Sequence, residues 1–216
     1  MKKYKLVFLI CMHFYLALFL SQAEARVEQN NKVNIVPLMV RIPGKNYEIG
    51  KYEITQAQWQ LIMGSNPSKF KKCGENCPVE NVSWDDVQIY IHKLNAKSGL
   101  QYRLPTEQEW EYACFGGHKS NHCGGNNADA VGWYIHNSNN TTHPVGQKQG
   151  NGYGIYDMSG NVFEWVQGTY DNEHNWRVFR GGSWYFDASR MLAIFRNANF
   201  STIRNDNLGF RIARSL

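Results

Sequence analysis

RVFRGGSWYFDASRMLAIFRNANFSTIRNDNLGFRIARSL, residues 177–216, closes the chain and holds the reading that decides its fold. Its two ends read as framework. In RGGSW (180–184) two glycines let strands approach closely, and Arg180 is suited to satisfying buried carbonyls and carboxylates. In LGFRIA (208–213) Phe210 and Ile212 are core candidates, with Trp184 from the first block, and Arg211 repeats the role of Arg180. Between the two blocks, residues 185–208 mix aromatics, Asn, Arg and small residues with neither a helical nor a strand period.

Upstream of this segment the helical signals come early and then stop. In YEITQAQWQLIMGSNP, Thr55 is an N-cap with Gln58 three residues on, and Gly64 and Pro67 end the helix. SWDDVQIYIHKLNAKSG repeats the device with Ser83 and Asp86. Trp84, Val87, Ile91 and Leu94 share one face there, and Gly99 closes the helix. LPTEQEWEYACFGG gives a third start at Thr106 with Glu109. After Gly116, Gly, Asn and aromatics dominate. Helices followed by loops and short strands predict one α+β domain rich in irregular structure, with no repeat or low-complexity linker dividing it.

The chain has 216 residues, 43% of them hydrophobic and 19% charged, enough for one domain with a core of its own. Residues 1–25 read as a secretory signal peptide: a basic start (MKKYK), an apolar run over 6–20 and an A-x-A cleavage signal at 23–25. An uncleaved membrane anchor is the alternative reading of that run; otherwise the membrane is met only through the signal peptide. Residues 26–37 are a lead-in and 38–214 the domain. Cleavage removes three lysines and Glu24, taking the formal charge from +5 to +3. No basic stripe with interleaved aromatics appears, which argues against a nucleic-acid partner.

Export to the periplasm, the surface or the medium places Cys73, Cys77, Cys114 and Cys123 in an oxidising compartment. The turn residues of CGENC favour a Cys73–Cys77 disulfide, which leaves Cys114 and Cys123 to close a second small loop. A four-cysteine zinc site is the competing reading, weakened by the strong helix between the two pairs.

MVRIPG, KYEITQAQWQLIMGSNPS, CPVENVSWDDVQIYIHKLN, YRLPTEQEWEYAC, HPVGQKQGNGYGIYDMSGNVFEW and RVFRGGSW…NLGFRIAR follow one another over residues 38–214. In that order they resemble the blocks of the formylglycine-generating enzyme (sulfatase-modifying factor) superfamily. The hairpin that the family usually carries between the first two blocks is almost missing here. The resemblance implies a C-type-lectin-like α+β fold. It also implies a structural calcium site, to which Asn161 and Glu164 of DMSGNVFEW contribute with backbone carbonyls, the oxygen ligands a hard cation takes. The residues alone leave an alternative: Glu164, a charge between Phe163 and Trp165, pairs with Arg180 or Arg211, and Asn161 caps a turn in the left-handed conformation.

The family's oxidases hold copper(I) with two cysteine thiolates just after the GGS[YW] block. At those places this chain has Phe186 and, near the second, Met191; no cysteine follows Cys123. Formylglycine formation by that chemistry is therefore not expected. The family's iron-dependent members draw their histidines largely from a separate helical domain, which these residues do not contain. His118 and His122, spaced i, i+4 in a Gly/Asn-rich loop, read as solvated histidines. No G-x-S-x-G or catalytic triad is present. No catalytic residue is assigned, and a family enzyme or accessory protein remains the alternative reading of function.

The closing segment carries a second resemblance, to the variable region of ligand-binding proteins diversified by retroelements. Their C-type-lectin fold ends in RGGSW…GFR, and adenine-directed mutagenesis of Asn-type codons cannot yield Lys, Gln, Glu, Met or Trp. Lys, Gln and Glu each occur ten times between Arg26 and Trp184, and none occurs in 185–208. A solvated surface of that length normally carries several. Met191 and Leu192 are then fixed positions.

The resemblance implies that 177–216 is a variable segment displaying a ligand site for a macromolecule or glycan. Its candidate residues are Tyr185, Phe186, Asp187, Ser189, Arg190, Ile194, Phe195, Asn197, Asn199, Phe200, Asn205 and Asp206. Aromatics mixed with small and polar groups on a rigid scaffold are the composition of a paratope. Tyr185, Phe186, Phe195 and Phe200 are expected to be exposed.

Overall fold

In the computed structural model, which describes residues 36–170 and 176–216, the three capping boxes found in the sequence start the three longest helices. Thr55, Ser83 and Thr106 cap α1 (Gln56–Met63), α2 (Trp84–Ser98) and α3 (Glu107–Phe115), each answered by the side chain at the third position. Gly64, Gly99 and Gly116 end them at positive φ. A single-turn helix, α4 (Ala128–Val131), follows. The expected signal peptide, and nearly all of the lead-in, lie outside the described residues. Among the described residues no helix is long and apolar enough to cross a membrane.

The remaining chain forms two four-stranded sheets within the unit spanning 37–216. The first runs β1 (Met39–Arg41), β2 (Tyr47–Gly50), β8 (Ala213–Ser215), β3 (Tyr102–Arg103), antiparallel throughout. Pairing β2 with β8 ties the start of the domain to its end. The second runs β6 (Arg196–Phe200), β5 (Trp176–Arg180), β4 (Phe163–Thr169), β7 (Leu208–Phe210). Its β4–β7 pair is parallel, Trp165 opposite Phe210.

Side chains alternate across a strand, so the second sheet has two distinct faces. One carries Phe163, Trp165, Phe179 and Phe210. Phe210 meets Trp59 of α1 and Tyr90 of α2 edge-on, and those two rings stack at 5.2 Å. The other face carries Glu164, Val178 and Arg180 toward α3, whose Trp110 is fully buried. Trp184, Phe210 and Ile212 are core, as their framework blocks predict.

Both expected disulfides form, Cys73–Cys77 and Cys114–Cys123. The second fastens the end of α3 to the 118–126 loop. Only one of its two histidines is solvated as the sequence suggests. His118 is exposed, but His122 is buried, with Nδ1 3.2 Å from the carbonyl oxygen of Met191.

Two glycines set the close approaches around 180–184. At Gly160 (φ 85°) a Cβ would lie 2.3 Å from the Trp133 carbonyl oxygen; at Gly182 (φ 79°) it would lie 2.6 Å from the Met191 side chain. Neither site has room for a side chain.

Candidate ligand-binding surface

The segment between RGGSW and LGFRIA is held by its main chain. Ser138 Oγ donates to the Trp184 carbonyl oxygen at 2.8 Å, and the Ile135 N–H to that of Phe186 at 3.1 Å. Ser159 Oγ donates to Met191 O at 3.0 Å, the oxygen that His122 also faces. Arg180 Nη2 donates to Ala193 O at 2.7 Å, while the Ala193 N–H donates to Asn121 O, also at 2.7 Å. Trp184 Nε1 reaches Asp206 O at 3.0 Å, and the Asn81 N–H reaches Asn205 O at 2.9 Å. Every anchoring group on the scaffold side comes from outside 185–208. Two side chains of the segment are core: Met191, fully buried as a fixed position requires, and Ala193.

With the backbone gripped this way, most side chains are turned outward. Tyr185 is 55% exposed and Ile194 70%. Asp187, Ser189, Arg190, Asn197 and Asn205 are exposed, and Asn199 and Asp206 half-buried. Phe186 and Phe195 depart from the expected exposure. Both are half-buried because their rings lean on core Phe163, at 5.7 and 6.3 Å between centroids. Tyr185 continues this cluster, 5.2 Å from Phe186 and 5.3 Å from Trp184. The outer aromatics thus stand on the buried ones rather than floating on a loop.

The candidate residues do not all share one patch. In β6, Asn197 lies opposite Phe179, on the face of the Phe163 cluster, and Asn199 shares that face. Phe200, 59% exposed, lies opposite Trp176 on the other face. Strand β6 is also a sheet edge, where alternate N–H groups point away from the partner strand. The N–H groups of Ala198 and Phe200, two residues apart, each donate to the side-chain oxygen of the preceding Asn at 2.8 Å. Asn197 and Asn199 therefore occupy edge donors as well as facing the surface.

Three charges of the segment are paired. Arg196 makes a bidentate pair with Glu107, Arg204 another with Asp86, and Lys69 bonds Asp206. Burial works against ionisation of Asp86 and Glu107, yet their arginine partners hold both carboxyls below the usual carboxylate range.

The calcium expectation on Asn161 and Glu164 meets a different arrangement. Arg211 donates to both Glu164 oxygens at 2.6 Å, and Trp110 Nε1 adds a bond at 2.7 Å. The pairing with Arg211 that the residues left open is the one formed. Asn161, at φ 58°, accepts the His143 N–H and donates to Glu53. The two side chains thus commit their polar atoms to separate partners, and no role for calcium is derived from them. Sequence reading missed the two other acids of this buried cluster, Glu53 and Asp157. Burial and neighbouring carboxylates push the Glu53 carboxyl well above its ordinary value; burial pushes Asp157 up to about 6. The available signal was a charge amid apolar residues, in YEIT and in IYDM.

Nor do the residues fit a copper dithiolate. All four cysteines of the described residues are in disulfides, Phe186 meets Phe163 edge-on, and Met191 is packed beneath the segment. Among the described residues, no group of three or more His, Cys, Asp or Glu side chains is placed to hold a metal ion.

The model of the sulfatase-modifying factor enzyme 1-like domain matches residues 21–216. Chaperone protein LppX of Paenibacillus barcinonensis is 38% identical over 196 aligned residues, covering 64% of this chain and 69% of its own. Inactive C-alpha-formylglycine-generating enzyme 2 of Mus musculus is 35% identical over 189 residues, covering 75% and 56%. The chain thus spans little more than half the length of that relative. Among solved structures, Treponema denticola variable protein 1 superposes with a TM-score of 0.73 at 28% identity, over 84% of this chain and 92% of that one. The chain belongs to the sulfatase-modifying factor enzyme 1-like family and has its C-type-lectin-like α+β fold.

Proposed function

We propose that this chain is an exported, non-catalytic binding protein whose 185–206 segment is a diversified receptor surface for a macromolecule or glycan. The observation that carries this reading is the division of labour in the segment. Framework residues hold its backbone carbonyls, so the identity of most outward side chains is free to vary without disturbing the fold. The missing Lys, Gln and Glu in 185–208 are what adenine mutagenesis of Asn codons leaves, and a variable protein is among its structural relatives. Two disulfides suit an oxidising compartment, in keeping with the signal peptide read at 1–25. A family that contains a relative named as inactive accommodates a member without chemistry.

The test is to sequence the DNA flanking the gene. A reverse transcriptase gene, with a near-copy of the DNA for residues 177–216 that differs only where the copy has adenine, is the expected result. A flank with neither feature would leave a fixed lectin-like domain and remove the claim of diversification.

A further inference from the structure

Of the three arginines in the segment, two are locked and one is not. Arg196 and Arg204 each hold a carboxylate through two hydrogen bonds. Arg190 makes no ion pair among the described residues. Its guanidinium carbon lies 4.9 Å from the centroid of Phe195 and 5.9 Å from that of Phe186. The nearest acid in sequence, Asp187, turns its carboxylate back onto the N–H and hydroxyl of Ser189. An exposed guanidinium is thus held against two rings that themselves rest on core Phe163.

A guanidinium held over rings in this way has its fork oriented, and no hydrogen bond among the described residues occupies its side-chain N–H donors, so less side-chain entropy is lost when an anion is bound. The surroundings are apolar: Tyr185 stands beside Phe186, and the exposed aliphatic Ile194 precedes Phe195. A charge-assisted, two-pronged bond set among aromatic groups is the composition of a protein–protein hot spot. Sugars stack on ring faces but gain little from an exposed Ile. Resting on the binding role given above, we propose that Arg190 is the anion-recognising centre of this surface. Its occupant is a protein segment that presents an Asp or Glu carboxylate next to an aromatic or aliphatic side chain.

Random peptide display on the immobilised protein tests this. The expected result is enrichment of peptides with an acidic residue adjacent to a large apolar one. Such peptides bind Arg190→Gln about tenfold more weakly or worse, and Arg190→Lys in between, since Lys keeps the charge without the planar fork. Arg190 is exposed, so an unchanged melting temperature is expected to show that both variants fold. Enriched peptides without acidic residues, or with equal affinity for Arg190→Gln, would overturn the anion-recognising role and leave the binding surface standing. Selection of uronate- or sialate-terminated glycans from an array, with no acidic peptide enriched, would overturn the protein assignment. If the wild type enriches nothing beyond a variant with Tyr185, Phe186 and Ile194 all changed to Ser, the binding role itself fails.

Discussion

Arg180 donates from Nη2 to the carbonyl oxygen of Ala193 at 2.7 Å, so a buried framework arginine grips the outer segment by its backbone. The same guanidinium reaches Glu107 at 2.6 Å and Glu111 at 2.8 Å on α3. Glu107 is shared with Arg196 of β6. One cation therefore fastens helix, sheet and loop. Arg180→Ala is expected to cost about 3–5 kcal/mol by chemical denaturation, the range for removing one partner of a buried ion pair. A change below about 1 kcal/mol would show that α3 and the segment are held by something else.

Met191 and Ile194 lie three positions apart and predict opposite outcomes. Met191 is fully buried against Gly182, so Met191→Ala is expected to cost about 2–5 kcal/mol. Ile194→Ser, at a largely exposed position, is expected to change stability by no more than about 0.5 kcal/mol. Equal losses at the two positions would place the segment in the core.

Three buried acids set the pH dependence, and burial holds one of them, Glu53, well above its ordinary value. Burial pushes Glu80, which sits under the Phe70 N–H, up to about 7 and Asp157 up to about 6, whereas unfolded carboxyls titrate near 4. Between those values the folded state binds more protons than the unfolded one, so stability falls as pH rises. Below about 4 the arginine-bound Asp86 and Glu107 reverse the trend. Melting temperature should therefore peak near pH 4–5 and decline toward pH 8, and Glu80→Gln should flatten that decline. A melting temperature that climbs from pH 5 to 8 would contradict the assignment.

The disulfides close loops of different length, with sequence separations of 4 for Cys73–Cys77 and 9 for Cys114–Cys123. Chain entropy alone gives about 2 and 3 kcal/mol respectively. Cys114 and Cys123 are also both buried, so the double alanine variant there is expected to lose the more stability of the two. The reverse order, read by denaturant titration, would assign CGENC the larger structural role.

Local signals were legible in the sequence because the chemistry that sets them is local. Thr55 with Gln58, Ser83 with Asp86 and Thr106 with Glu109 are three residues apart, and their capping boxes formed where the spacing put them. Both disulfides span short loops. What the sequence hid depends on contacts across the fold. His122 is buried by Met191, 69 residues away, and no loop composition predicts that. The half-burial of Phe186 and Phe195 follows from Phe163 beneath them. The split of β6, with Asn197 on one face and Phe200 on the other, required the register with β5.

The proposed receptor surface requires that the framework hold the main chain of 185–206 and leave the outward side chains outside its ion pairs free to vary. A surface-displayed library tests it directly: Tyr185, Asp187, Ser189, Arg190, Ile194, Asn197 and Asn205 are varied to the residues that adenine mutagenesis allows, and each member is scored for protease resistance. Most members are expected to remain as resistant as the parent. Loss of resistance in most members would show that these side chains hold the fold together, and the segment would then be structure rather than receptor.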